Sequence, residues 1–262
     1  MADLDRADVL RLIDAAAPDS PMVLSLGGIT REMLAVAGRK GNHFISLDAM
    51  GQTVSVALGL ALGLDRRAAA GKVIAIEGDG SLLMGLSVLS TVGHLKPGRL
   101  VVYVLDNGVY LATGGQPTAS ADTDFVAVAA ACGWRGARDV RTADELAAAT
   151  AWALTTEGPV LVRVRITTAQ IPAGFCLEDP VILAEDFRRW LRAVTAAGPV
   201  ASGDPNTRRG GRAVQGHSAF LSAGHPEMRR ERDGRALSRA DDGNRDPGLL
   251  AGRPGGCDGG PR

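Results

Sequence analysis

Several classes of protein are excluded by what this sequence lacks. Its three cysteines, Cys132, Cys176 and Cys257, are widely spaced and form no CxxC pair, so neither a disulfide framework nor a zinc site is expected. No apolar run approaches the ~20 residues that a membrane-spanning helix needs. The N-terminus lacks the pattern of a signal peptide, so we expect a cytoplasmic protein that makes no membrane contact. Because Lys and Arg (29) balance Asp and Glu (29), nucleic-acid binding driven by bulk charge is not expected.

The balanced charge conceals a change of composition at residue 197. Residues 197–262 contain 14 Gly, 6 Pro and 11 Arg but only 8 Val, Leu, Phe or Met. This is too little apolar surface to offset the chain entropy lost on folding. We expect this tail to be disordered, although its arginine pairs leave open a nonspecific contact with phosphate or a partner. The tail carries a net charge of +3 and residues 1–196 carry −3, so the neutrality is a cancellation.

Residues 1–196 have the alternating pattern of one α/β domain. Short apolar runs rich in β-branched residues alternate with amphipathic segments, which predicts a three-layer α/β/α fold around a parallel sheet. The predicted strands are 21–26, 72–77, 99–105 and 159–166, and the predicted helices are 7–16, 51–64, 82–92, 123–131, 142–156 and 178–194. Ligands of such sheets bind beyond the carboxyl ends of the strands, so the loops there are the places to search for a site.

The first such loop, Glu77-Gly78-Asp79-Gly80-Ser81, follows the strand predicted at 72–77. Its glycines permit close approach of a ligand to the backbone, and the N–H groups of the next helix favour a phosphate. Asp79 would repel a bare phosphate. This favours a Mg²⁺ ion between its carboxylate and a diphosphate, because Mg²⁺ takes oxygen ligands and shares them with substrate phosphates. The alternative interpretation is a tight turn capped by Asp79.

The second loop, Asp106-Asn107-Gly108-Val109-Tyr110, follows the strand predicted at 99–105, and 25 residues separate Gly80 from Asp106. That interval accommodates one helix and one strand. The two loops are therefore expected to be neighbours at one edge of the sheet and to offer oxygen ligands to the same cation. Taken alone, the second loop is also compatible with an ordinary Asn-Gly turn.

This spacing resembles the fingerprint of the thiamine diphosphate enzymes, in which GDG is followed, after the interval found here, by a pair of Asn. Asp106-Asn107 occupies the place of that pair. The metal ligands that the resemblance implies are Asp79, Asn107 and the main-chain carbonyl of Val109. The residues that it implies for cofactor binding in the first loop are Gly78, Gly80 and Ser81, the last two at the diphosphate.

A third segment, Ser46-Leu47-Asp48-Ala49-Met50-Gly51-Gln52, extends the resemblance. In isolation Met50 would be interpreted as core filler. In this family, however, the position holds a bulky apolar residue beneath the bent cofactor. The carbonyl of Asp48, by position, accepts a hydrogen bond from the amine of the pyrimidine ring. Met50 and Asp48 are therefore the implied catalytic residues, at a cofactor that serves as electron sink when a 2-oxo acid loses carbon dioxide.

Within the family, the segments DAMGQTVSVALGLALG, GDGSLLMGLSVL and LDNGVYLATGGQPT are similar to the phosphonopyruvate decarboxylases and to the β subunit of the sulfopyruvate decarboxylases. The similarity runs from about Val9 to Val194 and excludes the tail, and Gln52 stands where much of that group has His. It implies decarboxylation of sulfopyruvate or phosphonopyruvate. The alternatives are a carboligase resembling acetolactate synthase and a noncatalytic cofactor-binding protein. Residues 113–118 either cover the site or form a surface loop.

One required part of these enzymes has no counterpart in the chain. The family needs a pyrimidine-binding domain whose glutamate activates the cofactor, and we find no second α/β set for it. We therefore expect a partner α subunit that supplies this Glu in a hetero-oligomer.

Of the other ionisable residues, His43 is expected to be solvated unless it approaches an acidic substrate. Arg163 and Arg165 are expected to point outward from a partly exposed strand, or to serve a subunit interface.

Overall fold

A six-stranded parallel sheet forms the centre of the computed structural model, which describes residues 4–65 and 71–196. The strands, in chain order, are β1 (Met22–Leu24), β2 (His43–Ile45), β3 (Val73–Gly78), β4 (Leu100–Asp106), β5 (Val109–Tyr110), β6 (Gln116–Pro117), β7 (Gly136–Val140) and β8 (Val160–Arg165). The sheet has the order β2-β1-β3-β4-β8-β7, and β5 and β6 form a separate antiparallel hairpin. The tail expected to be disordered, 197–262, lies outside the described residues.

Helices cover both faces of the sheet. They are α1 (Arg6–Ala16), α2 (Gly28–Ala37), α3 (Thr53–Asp65), α4 (Asp79–Met84), α5 (Val88–Leu95), α6 (Phe125–Ala131), α7 (Ala143–Thr155) and α8 (Pro180–Ala196). One core cluster joins the sheet to α1, α2 and α7, and a second joins it to α3, α4, α5 and α6. Among the helices of the described ranges, none combines the length and the apolar character that crossing a bilayer requires.

The strand β4 shows why the sequences of the central strands are continuous apolar runs. Val101, Tyr103 and Leu105 belong to one core cluster. Leu100, Val102 and Val104 belong to the other. Side chains alternate between the faces of a strand, and helices cover both faces, so every position must be apolar. This arrangement confirms the three-layer α/β/α fold.

The two edge strands of the six-stranded sheet, the two short hairpin strands β5 and β6 and one helix were missed by the sequence analysis. The edge strand β2 has only three residues, and β7 reads Gly-Ala-Arg-Asp-Val, with partly exposed polar positions, so neither has the signature of a covered strand. The helix α2 was missed as well. The helix predicted at 82–92 is instead α4 and α5, which are separate because the chain turns at Gly85. A Cβ atom at Gly85 would lie 2.1 Å from the carbonyl oxygen of Gly51.

Candidate active site

A cavity of about 170 Å³ lies where β1, β3 and β4 end at their carboxyl edge. Its walls come mainly from the loops that follow these strands, with Arg6 from α1, Met50 from the segment after β2 and Ile166 from just beyond the end of β8. Seven of the predicted site residues line it: Met50, Gly78, Asp79, Gly80, Ser81, Asn107 and Val109. Asp48 is exposed and is not among the lining residues, and the contribution predicted for it is a main-chain carbonyl. The three segments selected from the sequence therefore meet around one cavity.

Asp79 is a buried carboxylate that accepts a hydrogen bond from a neutral group. It is the first residue of α4 and is 2% exposed. The Thr118 hydroxyl donates to its Oδ2 at 2.6 Å. Burial and the like charge of Asp106 raise the pKa of Asp79, against the opposing effect of the hydrogen bond from Thr118. A cation at this carboxylate would relieve the cost of its buried charge.

The second loop is a tight turn that nevertheless lines the cavity. Gly108 has φ of 72°, and the N–H of Val109 donates to Asn107 Oδ1 at 3.2 Å. The hydroxyl of Tyr110, the residue after this turn, donates to the Gly80 carbonyl at 3.3 Å, so the two loops are neighbours, as the 25-residue interval predicted. Together they contain the carboxylate, the amide oxygen and the main-chain carbonyl that the resemblance implies as metal ligands, an oxygen-only set of the kind that Mg²⁺ takes.

This donor set differs from a cluster of charged ligands. Within the described ranges, no group of three or more His, Cys, Asp or Glu side chains is placed to hold a metal ion. A metal bound by these loops would therefore depend on the single carboxylate of Asp79, supplemented by neutral protein oxygens and by the oxygens of a bound diphosphate. The chemistry of the residues present fits such an ion.

Arg163 is buried, and its predicted outward orientation is wrong. Its side chain is 3% exposed, and Nε donates to Asp106 Oδ2 at 2.7 Å. The physical reason is the position of β8 between β4 and β7, where both faces are covered. Arg165, one residue beyond Val164, has a side chain that is 34% exposed and pairs with Asp106 and Asp139.

A chain of polar contacts connects the Arg163–Asp106 pair to Asp79. The Ser120 hydroxyl donates to Asp106 Oδ1 at 2.9 Å, and its oxygen lies 3.0 Å from the hydroxyl oxygen of Thr118, which holds Asp79. Thr118 and Ser120 are buried, whereas residues 113–117 are exposed. The loop therefore combines an exposed turn with a buried end that supports the predicted metal ligand.

Ser81 connects the first loop to the Met50 segment. The N–H of Gly51 donates to Ser81 Oγ at 2.9 Å. Beneath Ser81, the hydroxyl of Ser25 donates to Glu77 Oε1 at 2.7 Å. Burial raises the pKa of Glu77, which favours its neutral form. The sequence analysis assigned no role to Ser25 or Glu77, although an acid at the end of an apolar strand is an unusual signal.

The packing of Tyr110 requires a glycine at position 80, a reason that the sequence analysis did not give. A Cβ atom at Gly80 would lie 2.2 Å from Cε1 of the Tyr110 ring, and the Tyr110 hydroxyl donates to the Gly80 carbonyl at 3.3 Å. Gly80 is therefore required for the packing of Tyr110 in this cavity wall, whatever ligand it contacts.

His43 lies away from this site, and both interpretations of it were wrong. It is 4% exposed, and its Nε2 lies 3.1 Å from Asp14 Oδ1. It begins β2 and pairs in register with Met22 at the start of β1, so it occupies the amino edge of the sheet. The cavity is at the opposite, carboxyl edge.

Comparisons with known proteins agree with this geometry. Residues 29–164 match the family described as thiamine pyrophosphate enzyme, C-terminal TPP binding domain. The chain is 38% identical over 195 residues to a phosphonopyruvate decarboxylase from Streptomyces viridochromogenes, covering 74% of this chain and 47% of that protein. It is 32% identical over 192 residues to the sulfopyruvate decarboxylase subunit beta from Methanothermobacter thermautotrophicus, covering 73% of this chain and 98% of that subunit.

Solved structures show the same fold. A thiamine diphosphate-dependent 4-hydroxybenzoylformate decarboxylase from Rhodococcus jostii RHA1 matches with a TM-score of 0.53 and 27% identity, over 65% of this chain and 34% of that one. The chain spans about half the length of the phosphonopyruvate decarboxylases that it matches. The resemblance deduced from the sequence is confirmed: the chain belongs to the thiamine pyrophosphate enzyme family and carries its C-terminal, cofactor-binding domain.

Proposed function

We propose that this chain is the cofactor-binding subunit of a thiamine diphosphate-dependent decarboxylase that acts on a small 2-oxo acid with a second acidic group, sulfopyruvate or phosphonopyruvate. The observation that carries the proposal is the meeting of Met50, the 78–81 loop and the 107–109 loop around one cavity. The names of the relatives support the reaction, and the coverage of 98% of a sulfopyruvate decarboxylase β subunit supports the division into subunits.

In this proposal Asp79, Asn107 and the Val109 carbonyl hold Mg²⁺. The argument rests on the buried Asp79 carboxylate, which accepts a hydrogen bond from the neutral hydroxyl of Thr118. A divalent ion would compensate its charge and connect it to the phosphates of the cofactor. Thr118 keeps the carboxylate in one orientation, so little rearrangement is needed when the ion binds.

Three residues of the first loop receive the diphosphate in this proposal: Gly78, Gly80 and Ser81. The backbone at the start of α4 offers N–H groups to a phosphate, and the ion at Asp79 would offset the repulsion between the carboxylate and the phosphates. Ser81 accepts the N–H of Gly51, which fixes the neighbouring Met50 relative to the diphosphate loop.

Met50 and Asp48 are proposed to set the conformation of the cofactor's rings. Met50 is partly buried in the cavity wall and provides an apolar surface, and the Asp48 carbonyl would accept a hydrogen bond from the pyrimidine amine. When bound, thiamine diphosphate supplies the electron sink for loss of carbon dioxide from a 2-oxo acid. The role of the protein is to hold the reacting groups together and to exclude water.

A pyrimidine-binding partner is proposed because the cavity offers no second acid. Among the described residues that line it, Asp79 is the only carboxylate, and the proposal uses that group for the metal. Glu77 is fully buried below the loop and bonds to Ser25, and Glu32 pairs with Arg6. The activating Glu would therefore come from the α subunit of a hetero-oligomer.

Product analysis of the assembled enzyme tests the proposal. The chain is co-expressed with a pyrimidine-binding subunit, and carbon dioxide and aldehyde are measured with sulfopyruvate, phosphonopyruvate and pyruvate in the presence of Mg²⁺ and thiamine diphosphate. A free aldehyde from one of the two acidic substrates is expected. A condensed acyloin would instead indicate a carboligase, and cofactor binding without turnover would indicate a noncatalytic protein. Full activity of this chain alone would contradict the need for a partner.

A further inference from the structure

Arg6 is a buried cation whose hydrogen-bonding capacity is only partly used by the described residues. Its side chain is 6% exposed, and its Nη1 lies 3.4 Å from Glu32 Oε1. Its Nη2 is buried without a hydrogen-bond partner in the described part of the chain, and so is Glu32 Oε2. Burying a charged donor without an acceptor is costly, so an oxygen supplied by a ligand would stabilise this arrangement.

The position of Arg6 directs it to the cavity rather than to the core. Arg6 lines the cavity together with Gly27, Gly28 and Asp79. At Gly28 a Cβ atom would lie 1.6 Å from Arg6 Nη1, so the guanidinium occupies space that any other residue at position 28 would fill. Gly27 is the N-cap residue immediately before α2 and provides no side-chain cap, and the first N–H groups of a helix favour an anion.

Two other buried or partly buried arginines, Arg31 and Arg163, are already engaged, which distinguishes them from Arg6. Arg31 donates from Nη2 to the Ala173 carbonyl at 2.6 Å and lies over the Phe175 ring. Arg163 is held by Asp106. Among the described lining residues, Arg6 is the only basic side chain. It also precedes the segment 29–164 that matches the family, so the family match does not assign it a role.

We propose that Arg6 binds an oxygen of a tetrahedral anionic group, phosphoryl, phosphonyl or sulfonyl, of a ligand in this cavity. A guanidinium presents parallel N–H donors that suit such oxygens. The group has two possible sources: a phosphate of the cofactor, or the second acidic group of the substrate. The substrate source rests on the proposed function, and the cofactor source does not.

Titration of the full chain with defined probes tests this assignment. Arg6→Gln is compared with Arg11→Gln, a matched control on the same helix whose side chain is 53% exposed. Calorimetry measures the binding of thiamine diphosphate with Mg²⁺, and then of methylphosphonate and methanesulfonate to the cofactor-loaded protein. At least tenfold weaker thiamine diphosphate binding in Arg6→Gln supports the cofactor source. At least tenfold weaker binding of the small anions alone supports the substrate source.

Equal affinities of the two variants for every probe would overturn the assignment, as would a wild-type chain that binds none of them. Decarboxylation is not the readout. A wild-type chain that binds the probes but turns over no substrate when assembled with a pyrimidine-binding subunit therefore contradicts the proposed function and still tests Arg6.

Two further variants keep the proposal testable if Arg6→Gln fails to fold. Arg6→Gln leaves Glu32 buried without its cation, whereas Arg6→Met combined with Glu32→Gln removes both charges and is better tolerated. Gly28→Ala keeps Arg6 but places a methyl group where Nη1 now lies, so the guanidinium must move. Both variants, with melting temperatures near that of the wild type, are expected to lose the same anion binding. Wild-type anion affinity in both would overturn the proposal.

Discussion

Replacing Arg163 with Leu removes the cation of a buried ion pair, and the structure predicts a large loss of stability. Arg163 and Asp106 have side chains that are 3% and 2% exposed. Arg163 also donates to the Ser120 carbonyl at 2.9 Å from Nη2. Without Arg163, the Asp106 carboxylate keeps the partly exposed Arg165 as its nearest cation, at 3.2 Å. The variant therefore leaves a buried charge incompletely compensated.

The expected magnitude follows from the burial of the pair. Removing one partner of a buried ion pair costs about 3–5 kcal/mol, a large part of the ~5–15 kcal/mol that stabilises a typical domain. Arg165→Leu is the matched control, because it removes a cation from the same carboxylate at a side chain that is 34% exposed. Exposed pairs contribute about 0–1 kcal/mol. Adding Asp106→Asn to Arg163→Leu should recover part of the loss, because the double variant has no buried charge.

Urea denaturation of the full chain measures these differences, with the free energy of unfolding obtained by linear extrapolation. Binding of thiamine diphosphate with Mg²⁺ is measured in parallel. It should weaken more in Arg163→Leu than in Arg165→Leu, since Asp106 supports Ser120 and Thr118 beside Asp79. Equal destabilisation by the two single variants, or a loss below about 1 kcal/mol for Arg163→Leu, would refute this account of the buried pair.

Three other variants test separate parts of the account. Asp79→Ala should abolish Mg²⁺-dependent binding of thiamine diphosphate, because it removes the only charged ligand in the proposed set; unchanged affinity in calorimetry would contradict the metal assignment. Met50→Ala should preserve cofactor affinity but slow deuterium exchange at the thiazolium carbon in the assembled enzyme, and an unaltered exchange rate would exclude the proposed role. Burial lowers the pKa of His43 below 6.5, so the folded state binds fewer protons and stability is lost as pH falls below about 6.5 through the folded-state pKa. His43→Gln should flatten that part of the stability profile, and a slope equal to that of the wild type would argue against the buried neutral His.

Much of the fold was predictable because burial on both faces leaves a clear record in the sequence. The strands β3, β4 and β8 appear as apolar runs, and their predicted bounds agree within one residue at each end. The helix α7, predicted at 142–156, begins with a capping box formed by Thr142 and Glu145, a spacing that the sequence itself contains. The edge strands β2 and β7 were missed because a short or partly exposed strand needs no continuous apolar run.

The candidate site likewise has a part that could be predicted from the sequence and a part that could not. The 25 residues between Gly80 and Asp106 place two loops on adjacent parallel strands whatever the details of packing, so the sequence by itself determined that Asp79 and Asn107 lie together. Only the tertiary structure decided that Arg163 faces inward to Asp106, that Thr118 reaches Asp79 across 39 positions, and that Arg6 arrives at the cavity from a separate helix. The residues in each of these contacts are distant in the sequence, so no local periodicity indicates that they meet. Their contacts depend on how strands and helices pack, whereas the loops follow from the connectivity of a parallel sheet.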